Sequence, residues 1–176
     1  MTLVEIMISF VVMTIAVFML SSTITASIAH TDSKRERALA MESAMNVLER
    51  MHALPFGKLY ALYNLDESDD PEGPGTAPGP FFDVAGLDPW TEDHDQEVAF
   101  VGEIVLPGNG PELFENVSIP ELGLPRDLNG DLAVRELDIA DRYQVLPVTV
   151  RITWSSAGGR RVLEIPTMYS SMEKVR

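Results

Sequence analysis

Residues 1–20 read MTLVEIMISFVVMTIAVFML, and this stretch decides the fold. Apart from Glu5, Ser9 and Thr14, every side chain after position 2 is apolar. A helix of about 20 apolar residues, rising about 1.5 Å per residue, is long enough to cross the hydrocarbon core of a membrane. The apolar character continues beyond position 20, so the sequence predicts a hydrophobic membrane-spanning helix over residues 1–29.

The carboxylate of Glu5 is the unusual feature of this segment. A charged group in the centre of a membrane span costs about 2.5–3.5 kcal/mol on insertion scales and usually has a partner and a role. A secretory signal peptide would begin with basic residues and have a shorter apolar core. A plain membrane anchor gives Glu5 no role, unless the carboxylate lies at the level of the lipid headgroups. The residues alone leave these alternatives open.

The helical pattern continues beyond the apolar segment. Residues 30–54 combine charged residues with an apolar stripe at three- and four-residue steps, which is typical of an amphipathic helix. Pro55 is the first proline, and it cannot continue a helix, so we expect the helix to end near Leu54. The hydroxyl-rich stretch 21–25 is the one place where a break is conceivable. The predicted stripe consists of Met41, Ala44, Met45, Leu48 and Met51.

Charge and composition exclude several functional classes. The 176 residues include 27 Asp and Glu against 13 Lys and Arg, for a net charge of −14. Binding to a nucleic-acid duplex needs a basic face, so direct nucleic-acid binding is not expected. The absence of cysteine removes disulfides, Cys-ligated metals and thiol nucleophiles. We find no constellation of nucleophile, base and orienting group, and therefore do not expect an enzyme.

The remaining residues, 55–176, predict a small β-rich domain. Residues 143–154 alternate between apolar and other side chains, which is typical of a strand with one buried face. Residues 155–159 provide a turn, and residues 160–168 return as a second strand. Residues 98–106 form a further strand candidate.

Residues 66–97 are rich in Asp, Glu, Pro and Gly and contain no Lys or Arg, so we expect a long acidic surface loop. The predicted fold class is α+β, with a long N-terminal helix packed against a small C-terminal antiparallel sheet. Three parts are expected: the hydrophobic helix 1–29, the amphipathic helix 30–54 packed on the globular domain, and the domain 55–176.

A possible calcium loop begins at residue 127. Calcium loops of the EF-hand kind take oxygen ligands from positions 1, 3, 5, 7 and 12. Leu132 stands where such loops have glycine, and Arg135 puts a cation at position 9, although the pattern is otherwise similar to dockerin-type loops. The alternative is a tight turn with solvated aspartates. The candidate ligands are Asp127, Asn129, Asp131, the backbone carbonyl of Ala133, and Asp138.

The beginning of the chain resembles the mature N-terminus of type IV pilins and pseudopilins. The resemblance rests on Met1-Thr2-Leu3-Val4-Glu5-Ile6, followed by the apolar run and the charged helix. The family has an apolar first residue, usually Phe, and a glutamate at the fifth position, so only Met1 departs from the pattern. The resemblance is close over residues 1–29 and loose after Phe56.

This resemblance implies a ladle-shaped fold. It also implies that the chain is processed, inserted into the membrane and then assembled into a filament. In such proteins a prepilin peptidase removes a leader, and the new N-terminal amine is methylated. Met1 would be that processed end or, alternatively, an initiator methionine. The precursor spans the inner membrane once, and assembly machinery then adds it to a helical filament of like subunits. The filament is an extracellular pilus or a periplasmic pseudopilus.

The assembly residues implied by the resemblance are Met1, Thr2 and Glu5. Glu5 would pair with the Met1 amine of a neighbouring subunit, because an unpaired charge in an apolar filament core is costly. Such a pair would set the axial register, as one buried polar residue does in a coiled coil. The alternatives are a type II secretion pseudopilin and a membrane-anchored periplasmic binding module.

Overall fold

The computed structural model describes residues 2–91, 100–108 and 110–171. The chain divides into two compact units, Met1–Ala38 and Leu39–Arg176. The elements, in chain order, are helix α1 (Leu3–His52), a 3-10 turn (Phe56–Lys58), helix α2 (Leu59–Tyr63), a 3-10 turn (Glu67–Asp69), strands β1 (Phe81–Phe82), β2 (Asp88–Pro89) and β3 (Gly102–Val105), a 3-10 turn (Pro120–Leu122), and strands β4 (Val145–Ser156) and β5 (Gly159–Ser170).

Helix α1 is continuous through the hydroxyl-rich stretch at which a break was conceivable. The hydroxyls of Ser22 and Thr23 both donate to the carbonyl of Met19, at 2.8 and 2.9 Å, so they bond within the helix and do not interrupt it. The helix ends at His52, two residues before the predicted end. Pro55 lies three residues further on and has an extended backbone, with a φ of −60° that suits the proline ring.

The last part of α1 belongs to the second unit and buries a face that the sequence predicted only in part. Ala40, Ala44, Val47 and Met51 are buried. Met41 and Met45, which the predicted stripe included, are 38% and 51% exposed, so that part of the prediction is wrong. Alanine is small enough to let the helix backbone approach the core closely, and this moves the buried face away from the two larger methionine side chains.

Within the described residues the sheet has five strands, and every pair is antiparallel. Strand β4 is central: β5 pairs with its whole length on one side, while β3 and β2 share the other side. Strand β1 pairs with the far edge of β3. The described structure therefore confirms an α+β chain with a long N-terminal helix and a C-terminal antiparallel sheet. Strand β5 lies at the edge, where Pro166 is tolerated.

One face of β4 is buried as the alternation predicts, with Leu146, Val148, Val150, Ile152 and Trp154 in the core. The other face is only partly exposed, because Pro147 and Thr149 are buried as well. The 3-10 turn Pro120–Leu122 packs on this part of β4. Burial of this second face depends on a distant segment, which local alternation cannot reveal.

The acidic segment is more regular than predicted. Residues 66–91 contain a 3-10 turn and the short strands β1 and β2, which form because β3 and β4 offer them free edges. The Phe82 ring lies on Gly102, where an added Cβ would come within 2.3 Å of the ring, so this contact requires glycine. Residues 92–97 of the segment, and residues 98–99 of the predicted strand, lie outside the described residues.

Three tyrosine hydroxyls donate hydrogen bonds to backbone carbonyls of distant segments. Tyr169 at the end of β5 donates to the carbonyl of Leu48 in the helix at 3.0 Å. Tyr143 donates to the carbonyl of Phe56 at 2.6 Å. Tyr60 donates to backbone carbonyls of the segment before residue 113. These bonds satisfy polar groups that burial would otherwise leave unpaired.

Candidate functional site

The first candidate site is the apolar segment at the start of α1. All residues from 2 to 32 are exposed in this single chain. The helix is long and apolar enough to cross a membrane, a property that an N-terminal signal sequence shares. So much exposed apolar surface has no stable place in water, and lipid or other protein surfaces must cover it.

The predicted assembly residues Thr2 and Glu5 lie together at the start of this helix, while Met1 lies outside the described residues. The backbone N–H of Thr2 donates to Oε2 of Glu5 at 3.4 Å, a long hydrogen bond. The N–H of Glu5 donates in turn to the carbonyl of Thr2 at 3.0 Å. Thr2-Leu3-Val4-Glu5 has the S/T-x-x-E spacing of a capping box, a signal that the sequence analysis missed.

The second candidate site is the predicted calcium loop, in which Asp127 organises the backbone. Its Oδ1 accepts from the N–H groups of Asn129 and Gly130 at 3.2 and 2.7 Å, and its Oδ2 accepts from Leu132 N–H at 2.8 Å. Desolvation opposes the charged form, but these backbone donors outweigh it and hold the pKa of Asp127 below its usual value.

The side-chain oxygens of the other predicted ligands also accept hydrogen bonds from backbone N–H groups. Asn129 Oδ1 accepts from Asp131 N–H at 2.8 Å, and Asp131 Oδ1 accepts from Ala133 N–H at 2.9 Å. Asp138 Oδ1 accepts from the N–H groups of Leu113 and Ala140, each at 3.0 Å. The Asp131 carboxylate also pairs with Arg135 across 3.3 Å. Arg135 stands at position 9, where a calcium loop would place a ligand or water.

The loop residues therefore fit calcium only in part. Their oxygens are of the right chemical type. In the part of the chain that the structure describes, however, no group of three or more His, Asp or Glu side chains is placed to hold a metal ion. Calcium binding at this loop stays a prediction.

Leu132 shows what the missing glycine does to the loop. Its φ is 64°, in the left-handed region that disfavours side chains with a Cβ. Its side chain is 95% exposed and so gains nothing from packing within this chain. Position 132 is where the sequence departs from the glycine of calcium loops, and its backbone keeps the glycine-like conformation without the glycine.

Glu115 is a loop-holding residue that the sequence analysis missed. It is fully buried, and its two carboxylate oxygens accept from Leu128 N–H at 3.1 Å and Arg135 N–H at 2.9 Å. The Glu115 carboxylate thus binds the backbone of the predicted calcium loop at two positions, Leu128 and Arg135. A lone glutamate in an irregular segment carries no sequence signal for such burial.

A charged row crosses the outer face of the sheet. Arg151 on β4 pairs with Glu103 on β3 at 3.3 Å and with Glu164 on β5 at 2.9 Å, and it also contacts Glu121. Desolvation opposes the charged guanidinium, but these acids raise the pKa of Arg151 overall. Because the row joins three strands and a turn, it fastens the 3-10 turn Pro120–Leu122 to the sheet.

Comparison of the chain with models of known protein families, with curated proteins and with solved structures finds no match.

Proposed function

We propose that this chain is the structural subunit of a type IV pilus-like filament. In this filament the apolar helices pack together, and Glu5 neutralises the N-terminal amine of a neighbouring copy. Before assembly, the same helix would hold the subunit in the inner membrane as a single span. A pseudopilin of a type II secretion system would use the same packing in a periplasmic filament.

One observation carries the proposal: a continuous 50-residue helix exposes the apolar side chains of residues 3–29, and Glu5 is the one carboxylate among them. The second unit has its own buried core of apolar side chains. Lipid can cover the apolar side chains, but it offers Glu5 no fixed counter-charge. A neighbouring copy offers both apolar cover and an amine.

A specific observation favours the second candidate, a membrane-anchored periplasmic binding module. The Thr2–Glu5 hydrogen bond gives Glu5 a role at its own helix end, without any neighbour. In that case the helix would be an anchor only.

Negative-stain imaging of cells that produce the full chain with its assembly machinery tests the proposal. We expect fibres whose main protein is this chain. Because the chain has no cysteine, a Ser27→Cys variant adds a second measurement, since disulfide-linked dimers report contact between apolar helices. A pseudopilin gives such dimers without long surface fibres. A chain that stays monomeric in the membrane by both measurements contradicts the filament proposal and supports the anchored module.

A further inference from the structure

Strand β5 leaves one of its two edges unpaired. Within the described residues β5 pairs with β4 alone, so the backbone groups along its other side have no strand partner. The strand runs from Gly159 to Ser170, and a long unpaired edge is a template for pairing with another strand. Proteins usually block such edges with prolines and charged side chains, so the placement of these residues along β5 decides whether the edge can pair.

The ladder between β4 and β5 shows which backbone groups face the free edge. The N–H of Thr153 donates to the carbonyl of Val101 at 2.9 Å, on the side of β4 that faces away from β5. Thr153 and its β5 partner Val162 therefore form a non-hydrogen-bonded pair, in which the backbone groups of both residues point away from each other. The N–H and C=O of Val162 thus point to the free edge, and by alternation so do those of Arg160 and Glu164.

Two features limit the part of this edge on which another strand can pair. Pro166 belongs to the same edge-facing set, and because it has no N–H it offers the free edge no donor. At the other end the hairpin turns at residues 157–158. Val162 lies midway between these limits, and its side chain is 46% exposed. The stretch available for pairing is therefore short and centred on Val162.

The charged residues around Val162 are arranged symmetrically. Arg160 precedes it and Glu164 follows it by the same two positions, so opposite charges lie on one face of the strand, and both side chains are exposed. Arg160 makes no ion pair among the residues that the structure describes. Glu164 accepts from Nε of Arg151 through Oε1 at 2.9 Å, and its second oxygen still has acceptor positions. Both side chains can therefore bind a partner of opposite charge.

This arrangement selects the kind of strand that can pair with the edge. A uniformly acidic or uniformly basic strand would meet a like charge at Glu164 or at Arg160. An antiparallel copy of β5 meets an opposite charge at both. The strand itself carries two Arg and one Glu, although the whole chain has a net charge of −14, so two copies can approach here without an excess of negative charge.

We propose that two copies of the chain pair antiparallel through their β5 edges, with Val162 opposite Val162 of the second copy. This register places Arg160 of each copy opposite Glu164 of the other, and opposite charges directly across an antiparallel pair stabilise it. These are hydrogen-bonded pairs, because their backbone groups already face the edge. A register centred on Arg160, Arg161 or Glu164 would instead place like charges opposite each other.

The contact is isologous, since the same surface of each copy takes part, and it closes after two copies. It uses only residues of the second unit and does not depend on the apolar helix. The inference therefore goes beyond the proposed filament, in which copies meet through their helices, and it can be tested separately.

Disulfide trapping tests the register. The full-length chain carrying Val162→Cys is oxidised mildly in detergent, and the disulfide-linked dimer is measured on a non-reducing gel. The chain has no cysteine of its own, so every disulfide joins two copies. Directly opposite residues of a hydrogen-bonded antiparallel pair have Cα atoms about 5.5 Å apart, within the range of about 4.4–6.8 Å that a disulfide needs. We expect a covalent dimer.

Met168→Cys is the matched positional control. Met168 is 47% exposed and belongs to the same edge-facing set of β5. In the proposed register it lies six residues from the centre, which at about 3.3 Å per residue places the two thiols about 40 Å apart. This variant should give little dimer, and a yield equal to that of Val162→Cys would overturn the inference.

Two charge variants in the Val162→Cys background test the ion pairs. Arg160→Glu turns both attractive contacts into repulsive ones and should lower the dimer yield about tenfold. Arg161→Glu changes the net charge equally but lies on the other face of the strand, opposite Leu163 of the second copy, and should keep most of the yield. Equal losses in the two variants, or no dimer of Val162→Cys at all, would show that the edges do not pair in this way. Ser27→Cys reports separately on the apolar helices.

Discussion

The backbone N–H of Thr2 donates to Oε2 of Glu5 at 3.4 Å, so the one carboxylate of the apolar segment closes the first turn of its own helix. A carboxylate has two oxygens and several acceptor positions. Glu5 can therefore keep this bond and still accept from the amine of another copy. Its role in capping and its proposed role in assembly are chemically compatible and can be separated by substitution.

Glu5→Gln and Glu5→Ala separate the two roles. Glutamine can also close a capping box, but it carries no charge, whereas alanine removes both functions. We expect both variants to insert into the membrane and both to lose or derange filaments, because the missing element in each is the negative charge. Filaments are counted by negative-stain imaging, and insertion is measured by membrane fractionation. Normal filaments in Glu5→Gln would show that capping, and not charge pairing, is the role of Glu5.

Leu132→Gly should stabilise the folded chain by about 1 kcal/mol. A left-handed backbone costs a residue with a Cβ about 1–2 kcal/mol, and the greater freedom of glycine in the unfolded chain offsets part of that gain. Leu132→Ala is the control, since alanine keeps the Cβ and should bring no comparable gain. Urea unfolding followed by tryptophan fluorescence measures the change, because Trp154 is buried in the core. Equal stabilities of the two variants would show that backbone strain at residue 132 is negligible.

Glu115→Ala should lower the free energy of unfolding by about 1–3 kcal/mol, because it leaves Leu128 N–H without an acceptor in the buried core. Glu112→Ala is the matched control: that side chain is exposed, and among the described residues the hydrogen bond to Glu112 goes to its backbone carbonyl. The control should change stability by no more than about 0.5 kcal/mol. The same urea titration compares both variants, and equal losses would contradict the role given to Glu115.

The sequence predicts a structural feature well when the residues that determine it are close together in the chain. The long helix follows from composition and from Pro55, and the hairpin β4–β5 follows from strict alternation, so both were predicted. The buried helix face was predicted only in part. Apolar spacing identifies methionine and alanine equally, whereas close packing against the core selects Ala40 and Ala44.

The features that the sequence could not predict are those that depend on distant partners. Pairing with β3 forms strand β1 within an acidic segment rich in Pro and Gly. Burial of Glu115 depends on backbone N–H groups 13 and 20 residues away. The Thr2–Glu5 capping box is the exception, because its spacing is local and could have been recognised.

The calcium prediction can be tested by comparing melting temperatures with and without a chelator. A metal that binds only the folded state stabilises it, so its removal should lower the melting temperature of the full chain. Asp127→Asn should abolish that difference, while Asp141→Asn, outside the predicted ligand set, should keep it. A melting temperature that does not respond to the chelator, and does not respond to added calcium either, would remove the calcium site.

The tyrosines predict how stability depends on alkaline pH. The chain has four tyrosines, and all four have raised pKa values in the folded state. Burial is the main cause in each case, and it raises the pKa of Tyr169 to about 12. A free tyrosine has a pKa of about 10, so the unfolded chain loses these protons first as the pH rises.

The sign of the effect follows from this order of ionisation. Below about pH 10 both states keep their tyrosine protons, and this contribution to stability is fully present; above it the unfolded state is increasingly favoured. We expect tyrosinate absorbance to stay low at pH 10 and then to rise together with unfolding. Tyr169→Phe cannot ionise at this position, so its stability should fall less steeply above pH 10. Half-ionised tyrosines at pH 10 in a chain that is still folded would show that these hydroxyls are not buried.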